Sequence, residues 1–399
     1  MIHGKEPVLL NVTYIRPDRQ RGIDEAFEVI YRDDDGQVRL SMEPAEIDIY
    51  IVKPEFRTFD YNKPQERVEH MDKVNCKVSE VRLKIAEAIG PDGVNFIKEC
   101  FRKKDYREMD RLYSWRYAFL CDFQPEFYYM QEWYRKYPLK NVKFSRAFID
   151  IETDILDYSP DLDKLNGTAY APVNCATIIL DETKEVFTFV LEPQKPQKVS
   201  FTPEAYQQRL KKYEAQLKMH QSLMSHQSEF IQDLHDSFDK TYGVLDYKIR
   251  VYQEEIELIA DIFRLINDRK PNFCLAWNMR FDIQYLYERI RALGYRPESI
   301  MCHPDFSNPK CFFKVDRSTF KIEKQYDFFY CSSYTTYICQ MRLYASIRKS
   351  QHMLKSVSLN AIGDRELRDR KVDYPPNANI MTFPYTDWLL FIKYNIKDI

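Results

Sequence analysis

Glycine is scarce in this chain, with nine residues in 399. Loops that cradle phosphate need closely spaced glycines, and neither GxGxxG nor GxxxxGK[ST] occurs. The common nucleotide-binding loops are therefore excluded. Long apolar runs are missing too: none approaches the roughly 20 residues that span a bilayer, so no membrane partner is expected. The opening stretch "MIHGKEPVLLNVTYIRPD" has too short an apolar core for a signal peptide and no small-residue cleavage site. Cysteine pairs are also lacking. The nine cysteines are scattered, odd in number and without CxxC, a pattern of reduced thiols that places the protein in a cytoplasm. Cys302, His303 and Cys311 form the one group resembling a zinc site, and with no fourth ligand nearby it is set aside. Excess charge of one sign is absent as well, since 59 basic residues face 61 acidic ones. Any contact with nucleic acid must then come from a local basic patch.

What is present reads as a globular protein of two or three domains. Hydrophobic residues make up 44% and charged ones 30%. The 29 tyrosines and 26 phenylalanines first fill cores, and a surplus suits platforms on which bases stack. Residues 1–140 read as an α+β domain. "EAFEVIYRDDDGQVRLSM" reads as two strands turning at Asp34–Gly36, and "IDIYIVKP" as another. Residues 79–118 follow a helical pattern and include "FRKKDYREMDRLYSWRYAF", where basic and aromatic residues interleave. Such a run suits a phosphate backbone but more often forms a solvated helix face.

A second domain is expected over 141–399. "NVKFSRAFIDIE" predicts a strand, "NCATIILDETKEVFTFVLEP" a hairpin turning at Asp181–Lys184, and "NFCLAW" a short buried strand. The segment 252–270 places Ile256, Ile259, Phe263 and Ile266 on one helical face. Three strands in a meander followed by helix, strand and helix build a mixed sheet covered by helices, an α/β architecture. Between hairpin and helix, residues 200–238 carry Tyr206, Leu210, Tyr213, Leu217, His220, Met224, Gln227, Ile231 and Leu234 at 4-3 spacing. This predicts an inserted long helix or broken pair docked on the protein's own body, with His220 a seam residue.

Three fragments carry chemistry. In "AFIDIETDILDYSP", strand alternation turns Ile149 and Ile151 one way and Asp150 and Glu152 the other. Two neighbouring carboxylates repel unless a cation sits between them, and hard divalent cations take oxygen ligands. Asp154, at strand spacing after Glu152, is read as a solvated strand end. In "CLAWNMRFDIQYLYERI", Asp282 opens a helix just past a strand's C-terminal end, where α/β sheets present ligands. A carboxylate there also suits the helix dipole. In "YTDWLLFIKYNIKDI", a helix buries Trp388, Leu389, Ile392 and Ile396. Tyr394 and Asp398, four apart, share one of its faces. Asp398 sits where helix ends fray and needs a brace.

DxE on a strand, N-x-x-F-D after a strand and Y-x-x-x-D on a later helix, in that order, resemble the 3′–5′ exonuclease domain of family B DNA polymerases. These are the DEDDy nucleases of the RNase H-like superfamily. The stretch "HMLKSVSLNAIGDRELRDRKVDYP" is similar to the segment that joins the second and third motifs in that family. The likeness covers 141–399 well and 1–140 more loosely, as the amino-terminal domain that precedes the exonuclease. The resemblance implies an RNase H-like mixed-sheet fold. It makes Asp150, Glu152, Asp282 and Asp398 the metal-binding carboxylates and has Tyr394 orient the attacking water. Asp150 would bridge two Mg²⁺ or Mn²⁺ ions, with Glu152 and Asp398 on one and Asp282 on the other. Thr153, Asn278 and Phe281 match positions that hold the frayed 3′ end, although Phe281 equally suits a core position. The implied partners are the single-stranded 3′ end of DNA and primer-template DNA. The palm's D-x-x-S-L-Y-P and Y-x-D-T-D segments are absent from these residues, so palm, fingers and thumb are expected later in a longer chain or in a separate one. A bacteriophage replication protein in the host cytoplasm fits the family impression. Alternatives are a DNA- or partner-binding front half of a split polymerase with weak nuclease activity, and a free-standing DEDDy exonuclease.

Overall fold

The computed structural model describes residues 7–18, 20, 22–138, 143–155, 169–196, 202–315, 327–348 and 356–399. The expected domain junction near 140–141, the first two residues of the 200–238 segment and residues 352–355 of the inter-motif stretch lie outside these. The chain divides into two units, Met1–Val142 and Lys143–Ile399.

In the first unit, β1 (Val8–Ile15), β2 (Ala26–Arg32) and β3 (Val38–Pro44) form an antiparallel sheet. The β2–β3 turn falls at the expected place. The Asp33 carboxylate accepts the backbone N–H groups of Asp35 and Gln37, and Gly36 takes φ +84°, a left-handed conformation that glycine adopts without steric cost. A second sheet joins β4 (Glu46–Val52), β5 (Met71–Lys77) and the short β6 (Ala118–Phe119). Helices α1 (Val81–Ile89), α2 (Pro91–Lys103) and α3 (Pro125–Lys136) complete the unit. The helical pattern over 79–118 is broken at Lys104, whose left-handed φ of 55° caps α2, and residues 108–114 are a 3-10 turn. Four of the six cations of the basic stretch sit beside acids: Arg102 and Lys103 on Glu99, Arg111 on Glu108, Arg116 near Asp60. That pairing favours the solvated-face reading.

The second unit is built on a six-stranded sheet. Strands β7 (Arg146–Thr153), β8 (Val173–Leu180) and β9 (Glu185–Leu191) form the expected antiparallel meander. Next come helices α4 (Pro203–Ser225) and α5 (Gln227–Tyr242), strand β10 (Asp246–Tyr252), helix α6 (Glu255–Arg269), strand β11 (Phe273–Ala276), and helices α7 (Ile283–Ala292) and α8 (Pro297–Met301). A two-stranded ribbon of β12 (Cys311–Val315) and β13 (Asp327–Cys331) precedes β14 (Thr336–Cys339). Helices α9 (Gln340–Arg348), α10 (Leu359–Leu367), α11 (Phe383–Thr386) and α12 (Trp388–Lys397) close the unit. The sheet order is β10-β9-β8-β7-β11-β14, with β10 parallel to β9 and β11 parallel to both β7 and β14. No helix among the described residues is long and apolar enough to cross a membrane.

Alternation along the strands feeds two cores. Ala147, Ile149 and Ile151 of β7 pack with Leu258, Ile262 and Phe263 of α6 and with Leu286 of α7. On the other side, Cys175, Val186 and Val190 meet Leu223, Phe230 and Leu234 of α4 and α5, and Trp388, Phe391 and Ile392 of α12. The inserted segment is thus a broken pair that packs on its own body, and His220 is a buried seam residue. The predicted 4-3 seam is corrected beyond the break at His226. There Phe230, Leu234 and Phe238 are buried, because the break resets the helical phase; just before it, Leu223 is buried and Met224 exposed.

Candidate active site

The cluster forms on the α12 side of β7. Asp150 lies opposite Thr177, and Glu152 opposite Cys175. Asn395, fully buried on α12, reaches this face: its side-chain N–H donates to Asp150 Oδ2 at 2.8 Å, and its carbonyl accepts from Thr177 Oγ1 at 2.6 Å. One turn of helix places Tyr394 and Asp398 together, and Asp398 completes the group. One oxygen each from Asp150, Glu152 and Asp398 lie within 4.8 Å of one another.

Asp282 approaches from beyond the C-terminal end of β11, the strand beside β7. It stands just before α7, is 1% exposed, and accepts the Ile151 N–H at 3.3 Å. Its backbone N–H donates to the Asn278 carbonyl at 3.1 Å. It lies outside the three-oxygen group, yet its charge and that of Asp150 act on each other. The three fragments found in the sequence therefore meet in one place.

Lys371 is the cation in this group. Its Nζ donates to Asp398 and, at 3.0 Å, to the Tyr394 hydroxyl. Asp398 is thus buried and braced, not frayed. The electrostatics follow from crowding. Burial first, then the Asp398 charge, pushes the Asp150 carboxyl up to about 8. Burial and the neighbouring carboxylates hold Glu152 and Asp282 well above the usual range. Burial also raises Asp398, with Lys371 opposing it. Burial works against the Lys371 charge, but Asp398, Asp150 and Glu152 more than compensate and keep it protonated. One ammonium cannot neutralise four carboxylates. The donor set is all oxygen, anionic and mutually repulsive, which fits a hard divalent cation and not zinc, whose preferred nitrogen and sulfur ligands are missing from it.

Of the expected DNA-contact residues, Thr153 is buried at the end of β7. Asn278 follows β11, and its Oδ1 is buried without a hydrogen-bond partner among the described residues. Phe281 is half-buried against the Tyr285 ring, centroids 6.2 Å apart. Asp154 requires a correction. It is not a solvated strand end: Arg209 of α4 donates to its Oδ2 at 3.0 Å, and the Tyr385 hydroxyl of α11 binds the same oxygen. Sequence reasoning also passed over Lys371 and Asn395. The signal for Asn395 was an amide set among the apolar positions of α12; that for Lys371 was its place in "DRKVDY", the turn of the inter-motif stretch already likened to the family.

The sequence model of the DNA polymerase family B exonuclease domain matches residues 104–362, nearly two thirds of the chain. The chain belongs to this family. As a family B exonuclease domain it is a nuclease, a hydrolase that acts on DNA, of a type that uses divalent metal. Its RNase H-like mixed sheet agrees with that membership. Among curated proteins no significant match is found. The matched span of the exonuclease domain contains Asp150, Glu152 and Asp282 but stops short of Lys371, Tyr394, Asn395 and Asp398. Of these, Tyr394 and Asp398 were expected from the third motif, whereas Lys371 and Asn395 enter the site on geometry alone.

Proposed function

We propose that this chain is the proofreading 3′–5′ exonuclease portion of a family B DNA-directed DNA polymerase, hydrolysing single-stranded 3′ ends of DNA with two Mg²⁺ or Mn²⁺ ions. The observation that carries the reading is the convergence of Asp150, Glu152 and Asp398 oxygens within 4.8 Å, with Asp282 buried beside them. Asp150, Glu152, Asp282 and Asp398 would hold the ions. Bound there, such ions lower the pKa of a water and stabilise the leaving 3′ oxygen.

The chain's own groups do the positioning. Asn395 fixes the rotation of the Asp150 carboxylate by donating to Oδ2. Lys371 holds Asp398 and Tyr394 in one arrangement. Burial and the charges of Asp398 and Glu152 push the Tyr394 phenol far up, so it keeps its proton and orients a water as a hydrogen-bonding group, not as a base. Thr153, Asn278 and Phe281 would receive the terminal nucleotides by hydrogen bonding and stacking, which tolerate any base. Units Met1–Val142 and Lys143–Ile399 would be the amino-terminal and exonuclease domains. The palm, in the same longer chain or a separate one, and a bacteriophage source belong to the same proposal.

Incubation with 5′-labelled single-stranded DNA and Mg²⁺ tests it. Stepwise shortening from the 3′ end, abolished by Asp150→Ala, is expected. No shortening, or shortening indifferent to that substitution, overturns it. A second reading, a DNA- or partner-binding front half with weak nuclease activity, draws on Lys371, whose ammonium already neutralises Asp398. DNA binding without metal-dependent cleavage would favour it.

A further inference from the structure

Outside the carboxylate cluster, three cysteines converge. Cys302 follows α8 as its cap. Cys311 begins β12, Cys331 ends β13, and the antiparallel register sets these two opposite each other. Cys302 touches both. The Sγ atoms of Cys302 and Cys331 are 3.8 Å apart with Cys331 as donor, and Cys311 lies near enough to favour the Cys302 thiolate as well. In their neutral forms Cys302 has the Lys310 carbonyl as acceptor and Cys331 that of Met301, each at 3.4 Å. His303, grouped with Cys302 and Cys311 in the sequence, does not join them. Its Nδ1 accepts the Asp305 N–H at 3.1 Å, and its ring meets Tyr334 edge-on at 4.7 Å.

We propose that Cys302 and Cys331 are a site of reversible oxidation, closing to a disulfide when the protein meets hydrogen peroxide. Cys302 is the attacking sulfur, because the Cys331 thiol aimed at it, with Cys311 beside them, favours its thiolate. Cys311 first and then Cys331 pull it down to about 4 against the effect of burial. The thiolate attacks one peroxide oxygen, the O–O bond breaks, and the departing hydroxide takes up a proton to leave as water. Cys302 is then a sulfenic acid. The Cys331 sulfur attacks it, the S–S bond forms, the S–O bond breaks and a second water leaves. Two thiols lose two electrons and one peroxide gains them.

Cys331 is the resolving partner because its sulfur already lies against that of Cys302. The two sulfurs need only close from 3.8 Å to the S–S length of about 2.05 Å. The bond would join the end of α8 to β13, 29 residues apart, just before β14 at the edge of the main sheet. In a reducing compartment such a bond is transient and reports oxidant.

The test uses the whole chain with EDTA present. It is exposed to rising hydrogen peroxide, its remaining thiols are alkylated, and its peptides are mapped by mass spectrometry without reduction. A Cys302–Cys331 cross-link is expected before the other thiols lose their alkylation, and dithiothreitol should remove it. In Cys331→Ala, dimedone should instead trap the sulfenic acid on Cys302. A Cys311–Cys331 or Cys302–Cys311 link in its place overturns the assignment. So does oxidation elsewhere while Cys302 remains alkylatable. The wild-type map is decisive even if the variant fails to fold.

Discussion

Replacing Asn395 with leucine removes the one side-chain donor that reaches Asp150 among the described residues, while nearly keeping the side-chain volume. Asn395 is completely buried and makes two strong bonds, to Asp150 Oδ2 at 2.8 Å and from Thr177 Oγ1 at 2.6 Å. Thr177 keeps a weaker partner in Thr188 at 3.3 Å, so its loss is softened. The bond to Asp150 is the costly one, since a hydrogen bond to a charged acceptor is worth about 1.5–3 kcal/mol. If that orientation is needed in the transition state, cleavage should slow by about ten- to one-hundred-fold. The same bond favours the ionised form of Asp150. Its removal therefore raises that carboxyl further, and a proton then competes harder with the metal. Single-turnover cleavage of labelled single-stranded DNA, measured across a Mg²⁺ titration at fixed pH, reads both effects. The rate at saturating metal should fall and the Mg²⁺ midpoint should move to higher concentration. A variant that stays folded, cuts at the wild-type rate and keeps its Mg²⁺ midpoint would refute the reasoning.

Other outcomes follow from the same geometry. Without metal, Asp150 rises from 3.8 to about 8, so between those values the folded chain holds more protons than the unfolded one. Its contribution to stability is full below about pH 4 and lost as pH rises through about 8; melting curves with EDTA should show the decline and Mg²⁺ should flatten it. Calorimetry of Mn²⁺ binding at pH 7 in buffers of different ionisation enthalpy should show proton release, and its absence would contradict the crowded cluster. Lys371→Met should lower stability without metal by about 1–3 kcal/mol, seen as a lower melting temperature, yet tighten Mn²⁺ binding by unmasking Asp398; weaker binding would sink this. Asp154→Asn, which disturbs Arg209 and Tyr385 but no candidate ligand, should leave metal-dependent cleavage within about threefold of wild type, well under the 1.4 kcal/mol of a tenfold change. Leu234→Ala, emptying a fully buried site in α5, should cost about 2–5 kcal/mol in a denaturant titration.

Period-two alternation made β7 legible, and with it the shared face of Asp150 and Glu152. Helical spacing did the same for Tyr394 with Asp398. What spacing cannot give is which distant element covers a given face. Asn395 reads as one more residue of an apolar helix until Thr177 and Asp150 are seen opposite it. Lys371 lies on a stretch with no regular element, so no periodicity marked it. Asp154 looked solvated because its partners, Arg209 and Tyr385, lie 55 and 231 residues along the chain. The strand β10 was missed because "DYKIRVY" mixes charged and apolar residues; as an edge strand beside β9 it is only half covered.

The inserted helices α4 and α5 look dispensable on paper, lying between a hairpin and a helix far from any motif. Their Leu223, Phe230 and Leu234 nevertheless support Trp388 and Phe391, and the Met219 sulfur accepts the Trp388 N–H at 3.4 Å. Anyone trimming this domain to a minimal nuclease would strip the floor from beneath the helix that presents Tyr394 and Asp398. A shortened version would need a redesigned apolar underside, or it would surrender the third motif along with the excised segment.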